Sequence, residues 1–448
     1  MSPERPTIVV AGIEFGWGSA GKLSAVLDAI RRRAAVPPRV VGIGSALGRP
    51  LLSGLDVAAW HDVPVHDVPA NGQPLPDGQH GRPDQHGRAD QHSRHDEHGQ
   101  HSERSQHSQP GQHGGIDQDA VAAILRRERA DAGLVVLDPV ARTFEALGLP
   151  TVFVDSLPFL WTEGDLPLLP VEATVYCAQR CVELPPDCRP VLDAIHNLRW
   201  VEAVVRPPSS LSPPRRVTGL RRALVSLGGL RAPRLADWTR YPRLVLPPAL
   251  AALADAGVRE VHVAGNLPPD LTRELTGGPD TGPALAVSAH PLGHTEFLAE
   301  LDRCDLLVAS PGLTTLLEAS SRGTPVVCLP PQNVSQVLNG RQYAAACSAA
   351  TRVRWPEEVL DEDRLLASRI GGEATALPVI YGRIDRASEA PEPVRRALRA
   401  QVRAAVDAVR LDADWTGLAR RIGVRGADQV ADAVLALASS SRSSPARS

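Results

Sequence analysis

The residues best suited to chemistry lie in one stretch of the second half of the chain, where hydroxyl groups cluster at a turn. Residues 310–315 read Ser-Pro-Gly-Leu-Thr-Thr, directly after the apolar run Leu306–Ala309, and Glu318 follows. An apolar run of this length is typical of a strand buried in a parallel sheet. A helix that begins at the turn would point free backbone N–H groups and the hydroxyls of Thr314 and Thr315 at one place. That arrangement suits a phosphate group.

Candidate acid–base groups lie in two other turns. Glu14 follows a predicted strand over residues 6–12, and Asp155 follows another over residues 151–154. A carboxylate among aromatic residues and glycines loses hydration, which raises its pKa towards a value that suits a general base. Glu14 is the first candidate for that base and Asp155 the second, with simple helix capping as the alternative for Glu14. Lys22, the sole lysine of the chain, would keep Glu14 ionised or bind an anionic ligand.

These turns need a particular arrangement of strands and helices to bring them together. Apolar runs alternate with amphipathic segments, which predicts parallel sheets covered by helices. The predicted strands of the first half cover residues 6–12, 39–44, 133–137, 151–154, 174–178 and 200–205, and those of the second half cover 222–227, 261–264, 286–288, 306–309 and 325–329. Domains of this class bind ligands at the carboxyl ends of their strands, where all three turns lie.

The composition along the chain predicts its division into domains. We expect residues 1–206 to form a first Rossmann-like domain, the Pro- and Ser-rich residues 207–216 to be a linker, and residues 217–438 to form a second such domain. Residues 71–115 repeat His, Gln and Asp with almost no apolar side chain, so this insertion should be disordered. The same is expected of the tail, residues 439–448.

Composition also excludes several function classes. A net charge of −3 over 448 residues gives no support for nucleic-acid binding. We expect no signal peptide before the first strand, and no apolar run of the sequence approaches the roughly 18 residues of a membrane span. Six scattered cysteines form neither a disulfide framework nor a common zinc pattern. We therefore expect a cytoplasmic protein, monomeric or homodimeric, that acts on small molecules.

The stretch over residues 302–343 resembles the donor-nucleotide segment of glycosyltransferases with the GT-B fold. The family pattern combines a glycine-containing turn, threonines, a glutamate, Gly-x-Pro and a late Gln and Asn; here these are Gly312, Thr314, Thr315, Glu318, Gly323, Pro325, Gln336 and Asn339. The resemblance implies an α/β fold of two Rossmann-like domains facing across a cleft. Three departures are present: no His precedes the turn, Pro311 replaces a glycine, and Ser335 replaces the usual acid.

By this resemblance the protein binds a UDP-sugar as its donor substrate, without cofactor or metal, and transfers the sugar with inversion to a small acceptor. Thr314 and Thr315 would contact the diphosphate, Glu318 the ribose, and Gln336 the sugar. The other implied donor contacts are Gly228, Gly229, Arg231, His290, Leu292, Gly312, Asn339 and Arg341. The first turn, with Gly16, Trp17 and Gly18, would face the acceptor.

A narrower resemblance concerns the acceptor. Residues 14–22 and 155–161 are similar to those of the cytosylglucuronate synthases of peptidyl-nucleoside antibiotic pathways. This implies transfer of glucuronate from UDP-glucuronate to N1 of cytosine or hydroxymethylcytosine. Trp17, Phe159 and Trp161 would then form a flat slot for the pyrimidine, with packing in the core as the alternative. Two other functions stay open: a UDP-sugar 2-epimerase and a non-catalytic sugar-nucleotide-binding protein.

Overall fold

The computed structural model describes residues 5–13, 17–44, 49–52, 54–63, 65–66, 115–208, 217, 219–229, 237–276, 285–367, 369, 373–411 and 413–443. Glu14, Gly16 and Arg231 lie outside these residues, as do nearly all of the His-rich insertion and most of the predicted linker.

The first part of the chain forms a parallel sheet of seven strands with helices packed against it. In chain order the elements are β1 (Thr7–Gly12), α1 (Gly18–Arg33), β2 (Arg39–Ile43), β3 (Ala59–His61), β4 (Val65–His66), β5 (Gly115–Ile116), α2 (Gln118–Glu128), β6 (Ala132–Val136), α3 (Val140–Ala146), β7 (Thr151–Asp155), β8 (Val175–Gln179), α4 (Arg189–Asp193) and β9 (Leu198–Val201). The strand order is β3-β2-β1-β6-β7-β8-β9. Strands β4 and β5 form a separate antiparallel pair at the two ends of the His-rich insertion.

The second part forms a parallel sheet of five strands. Its elements are β10 (Arg222–Ser226), α5 (Arg240–Asp255), β11 (Glu260–Ala264), α6 (Pro269–Thr276), β12 (Ala286–Ala289), α7 (His294–Arg303), β13 (Leu306–Ala309), α8 (Leu313–Ser321), β14 (Val326–Cys328), α9 (Val334–Cys347), α10 (Glu362–Ala367), α11 (Glu373–Glu389), α12 (Pro391–Ala408), α13 (Gly417–Ile422) and α14 (Gly426–Ser443). The strand order is β12-β11-β10-β13-β14. The central strands β10 and β13 are buried almost throughout, as their apolar sequences predict.

The last helix returns to the first sheet. Val430, Ala431 and Val434 of α14 are fully buried in the core formed by α1 and strands of the first sheet. The sequence places the end of ordered structure at residue 438, whereas α14 continues to Ser443. The hydroxyl groups of Ser439, Ser440 and Ser441 donate to carbonyl oxygens one turn back, which is compatible with the continuing helix.

The predicted α/β fold, two Rossmann-like domains facing across a cleft, is confirmed by these two parallel sheets. In both sheets the turns at the carboxyl ends of the central strands face the cleft. Within the described residues, no helix has the length and apolar character that a membrane span requires. The same residues contain no group of three or more His, Cys, Asp or Glu side chains placed to hold a metal ion.

Candidate ligand site between the two domains

A cavity opens between the two sheets at the carboxyl ends of their strands. The first domain lines it with residues that include Ile13, Trp17, Gly18, Lys22, Ser156 and Trp161. The second domain lines it with residues that include Gly228, Gly229, Leu292, His294, Gly312, Thr314, Thr315, Glu318, Gln336 and Asn339. Residues predicted for donor and acceptor contacts therefore meet across one cavity.

The amino end of α8 forms one wall of the cavity. No side chain caps this helix among the described residues, so its first backbone N–H groups stay available to a ligand. Thr314 and Thr315 lie in the first turn, and both line the cavity. Gly228 approaches from the end of β10 with φ of 69°, a left-handed conformation that favours glycine. Thr314 Oγ1 donates to Gly18 O at 3.3 Å, so the donors of this wall that suit an anion are the backbone N–H groups and the Thr315 hydroxyl.

Lys22 extends from α1 across the cavity towards this wall. Its side chain is 2% exposed, and Nζ donates a hydrogen bond to Thr314 Oγ1 of the other domain. Burial lowers the pKa of the Lys22 ammonium from 10.5 to about 8, and the negative charge of Glu318 opposes part of that shift. A buried ammonium therefore lies beside the hydroxyl that the resemblance assigns to the diphosphate.

A second polar connection joins the domains through His294, the first residue of α7. The ring Nε2 lies 2.6 Å from Glu318 Oε1, and Nδ1 lies 2.9 Å from Ser24 Oγ of α1. All three side chains are buried. With its proton on Nε2, the ring donates to the carboxylate and accepts from the serine hydroxyl. One oxygen of Glu318, the predicted ribose contact, is thus occupied by His294.

The turn before α9 and the start of that helix form a polar floor. The side chain of Asn333 accepts a hydrogen bond from Gln336 N at 2.8 Å, which caps α9, and Gln336 Oε1 in turn accepts from Gln332 N. Asn339 Nδ2 donates to Pro311 O at 3.0 Å, but Asn339 Oδ1 is buried and has no partner among the described residues. A buried unpaired acceptor at a cavity wall is a ready contact for a ligand hydroxyl.

Two indole rings line the first-domain side. Trp17 precedes α1, and its buried indole N–H finds no acceptor within the described part of the chain. Trp161 donates through Nε1 to Asp155 Oδ2 at 2.9 Å, which fixes the ring on the turn after β7. Leu157 N and the Tyr176 hydroxyl also donate to this carboxylate. Burial raises the pKa of Asp155 to about 6, and these three hydrogen bonds oppose the rise.

Four of the predicted site residues lie away from the cavity. Phe159 is 1% exposed and packs in the apolar core of the second domain, so the predicted aromatic slot retains only its two tryptophans. Asp155 is fully buried behind the turn that it holds. His290 stacks edge-on against His262 with ring centroids 4.2 Å apart. Arg341 pairs with Asp363 at 2.5 Å. None of the four side chains is among those that line the cavity.

Several polar residues in or next to the cavity are not among those that the sequence predicts for the site. They are Ser24, which contacts it through His294, and His294, Gln332 and Tyr381, which line it. A signal for His294 is present: Gly293 N donates to Glu296 Oε2 at 3.0 Å, and this glycine–glutamate spacing marks a helix start that places His294 at the strand-end edge. For Tyr381, which donates to Gln332 Oε1 from the distant α11, the sequence carries no comparable signal.

Comparisons with known proteins find structural likeness alone. No protein-family model matches the chain, and no curated protein matches it. Among solved structures, MurG from Acinetobacter baumannii is 13% identical with a TM-score of 0.48, covering 97% of this chain and 100% of its own. The spinosyn rhamnosyltransferase SpnG is 14% identical, with a TM-score of 0.47 and coverage of 98% and 99%. A UDP-GlcNAc 2-epimerase from Neisseria meningitidis is 11% identical, with a TM-score of 0.47 and coverage of 96% and 99%.

Proposed function

We propose that the protein is a glycosyltransferase that takes a UDP-sugar donor and transfers the sugar with inversion to a small acceptor. The observation that carries this proposal is the wall at the amino end of α8. Two threonine hydroxyls, uncapped backbone N–H groups and the Gly228–Gly229 turn converge there on one side of the cavity. Asn339 Oδ1, which is buried and has no partner in the described part of the chain, adds a contact suited to a sugar hydroxyl beside the anion site.

We assign the donor diphosphate, the sugar and the acceptor to different walls of the cavity. The donor diphosphate would lie at the α8 wall, the sugar beside Gln336 and Asn339, and the acceptor against Trp17 and Trp161. In the transfer step, the bond from the anomeric carbon to the β-phosphate oxygen breaks, and its electron pair leaves with UDP. The acceptor atom forms the new bond and gives its proton to a base. Holding both reactants in one enclosed cavity supplies much of the rate enhancement.

Glu14 is the base that we propose. It directly follows Ile13, which lies just after β1 and lines the cavity on the side proposed for the acceptor. Asp155 is the weaker candidate, because its carboxylate already accepts three hydrogen bonds and does not line the cavity. A general base contributes about 10²- to 10⁴-fold to such a proton transfer. Glu14→Gln should therefore lower turnover by that factor and leave donor affinity unchanged.

For the particular substrates we propose UDP-glucuronate as donor and cytosine or hydroxymethylcytosine as acceptor. A planar pyrimidine suits a cavity side that presents two indole rings. A glucuronate carboxylate would favour an arginine partner. Because the guanidinium of Arg341 is paired with Asp363, Arg231 is the remaining candidate for that contact.

The test is an assay of UDP release from a panel of donors. Purified protein is incubated with UDP-glucuronate, UDP-glucose or UDP-N-acetylglucosamine, with and without cytosine, and products are identified by mass spectrometry. Release of UDP only with one donor and a base supports the proposal. If a C2-epimerised sugar nucleotide forms without acceptor, the protein is an isomerase and the proposed transferase function is wrong.

One observation favours a second function, binding of a sugar nucleotide without catalysis. Glu318 is the one carboxylate that lines the cavity within the described residues, and His294 already occupies one of its oxygens. If Glu14 does not act as the base, no described carboxylate is positioned to replace it. Tight UDP-sugar binding with no turnover by the unaltered protein, whatever acceptor is supplied, would establish this function.

A further inference from the structure

Lys22 is a buried charge for which the described part of the first domain supplies no hydrogen-bond acceptor and no ion pair. It is the sole lysine of the chain, and its side chain is 2% exposed. An ammonium has three N–H donors, yet Thr314 Oγ1 is the one hydrogen-bond partner that Lys22 has among the described residues. Within the described residues two of the three donors have no acceptor, and the side chain lines the cavity.

Glu318 is the carboxylate whose charge acts on Lys22, but the two groups are not in direct contact. Glu318 attracts the ammonium through space, but its Oε1 is hydrogen-bonded to His294, and no ion pair joins it to Lys22. Burial of a cation without a direct anionic partner is costly unless a ligand supplies that partner. The Thr314 hydroxyl that Lys22 contacts lies at the uncapped amino end of α8. Because the Thr314 hydroxyl donates to Gly18 O, an anion bound there would contact the Lys22 ammonium and the first N–H groups of α8.

We propose that Lys22 is the counter-cation of the donor diphosphate, supplied by the first domain to a site on the second. The proposal deepens the proposed function and rests on it, and its ligand class is a nucleoside diphosphate. The site is complete only when α1 packs against α8, as it does here. Gly18 and Gly21 face Thr314, where an added Cβ would already be in van der Waals contact at 3.4 Å. Lysine suits this narrow space because a compact ammonium needs less room than a guanidinium.

The test compares two ligands that differ only in the diphosphate. UDP and uridine are titrated into the full-length protein and into Lys22→Met by isothermal calorimetry. Because a charge-assisted hydrogen bond to phosphate is lost, UDP affinity should fall by about 10- to 100-fold in the variant. Uridine affinity should stay the same. Equal UDP affinity in both proteins overturns the proposal for Lys22.

A matched control separates the charge from the contact between domains. Ser24→Ala lies on the same helix and removes its hydrogen bond to His294 without touching the cavity wall. This variant should change UDP and uridine affinities by the same small factor. If Ser24→Ala selectively weakens UDP as strongly as Lys22→Met does, domain contact rather than the ammonium explains the effect, and the proposal is wrong.

A measurement on the unaltered protein keeps the proposal testable without any variant. Among the described residues, the groups that reach Lys22 by a hydrogen bond or by charge are Thr314 and Glu318 of α8, and His294 of α7 is hydrogen-bonded to Glu318. Burial lowers the pKa of the ammonium to about 8, so Lys22 loses much of its positive charge between about pH 7 and about pH 8.5. UDP affinity should fall across this range relative to uridine affinity, because the uracil N3–H, which titrates at higher pH, is common to both ligands. A flat UDP profile contradicts the proposal, whereas binding of neither ligand at any pH contradicts the proposed function itself.

Discussion

At the scale of single residues, the site depends on side chains that the fold buries at a cost. A free ammonium prefers water, so the Lys22 side chain lowers the stability of the folded protein while it is charged. The size of the effect follows from the pKa, which burial lowers from 10.5 to about 8. Residues retained in this way, against stability, are typical of functional sites.

The stability of Lys22→Met provides a prediction at this scale. At pH 7 the folded and unfolded chains both carry the ammonium, and the folded chain alone bears its burial cost, about 3 kcal/mol at 1.4 kcal/mol per pKa unit. Methionine fills a similar volume without charge, so Lys22→Met should raise the thermal midpoint Tm at pH 7.

The pH dependence checks the cause of that gain. As pH rises from 8 to 10.5, the folded lysine is neutral while the unfolded lysine still binds a proton, so the stability of the unaltered protein increases with pH. The difference in Tm between Lys22→Met and the unaltered protein should therefore shrink by about pH 9.5. A difference that does not change with pH would mean that packing, and not the charge, separates the two proteins.

At the scale of elements, the turn after β7 is held by a single carboxylate. Asp155 accepts from the backbone at Leu157, from the indole of Trp161 and from the hydroxyl of Tyr176 on β8. These bonds fix the position of an indole ring that lines the cavity. Asp155 therefore positions Trp161 at the cavity, while its own carboxylate does not line it.

Asp155→Asn tests this role. One of the two oxygens becomes an NH₂ group, so at least one buried donor is left unpaired, at a cost of about 1 to 3 kcal/mol. We expect a lower Tm and a changed fluorescence spectrum for Trp161, with the KM for the acceptor raised more than kcat is lowered. Trp161→Phe keeps an aromatic ring and removes only one donor, so it should lower Tm less than Asp155→Asn does. A fall in kcat alone, with Tm and acceptor KM unchanged, would restore Asp155 as a base.

Much of the fold could be predicted from local sequence because its central elements are regular. The strand Leu306–Ala309 has the predicted bounds, and the helix Leu313–Ser321 begins at the predicted turn, since an apolar run and a glycine turn each carry their own signal. The long helix α5 is not among the predicted elements, and it contains Pro247 and Pro248, residues that disfavour a helix interior. Pro247 leaves the carbonyl of Arg243 without its helical donor, and Arg395 of α12 donates to that oxygen at 3.0 Å. A local sequence pattern does not show this replacement hydrogen bond, because its donor lies 152 residues away in the chain.

A site residue could be predicted where its role follows from its position along a strand or helix. It was harder to predict where the role depends on the direction in which the side chain points. Thr314 and Trp161 line the cavity because the ends of parallel strands meet at one edge. Phe159 lies between Leu157 and Trp161 in the same turn, yet its ring enters the core. Which way a turn residue points depends on tertiary packing, and the sequence of the turn does not record it.

At the scale of the whole molecule, the two domains are joined by the returning C-terminal helix as well as by the cleft. The start of α14 is fitted closely to residues 202–203 at the end of the first domain. Gly426 N donates to Ala203 O at 3.1 Å, and Glu202 N donates to Gln429 Oε1 at 2.8 Å. A Cβ added at Gly426 would lie 2.0 Å from Glu202 O, which is backbone and cannot move aside easily. Only glycine permits this approach.

Gly426→Ala should therefore weaken the docking of α14 on the first sheet. Overpacking against backbone costs about 1 to 3 kcal/mol or more, so we expect a lower Tm and faster amide hydrogen exchange in α14 and in β9. Gly382→Ala is the matched control, because it lies within α11 with open space at its Cβ. That change should be neutral or stabilising by up to about 1 kcal/mol, from helix propensity. If the amide hydrogens of α14 exchange no faster in Gly426→Ala than in Gly382→Ala, the apolar face of α14 alone holds that helix on the first sheet. If the faster exchange is restricted to α14 and β9 and the second sheet is unaffected, α14 can detach from the first sheet by itself. It would then be a connection between the two domains that opens independently of the second sheet.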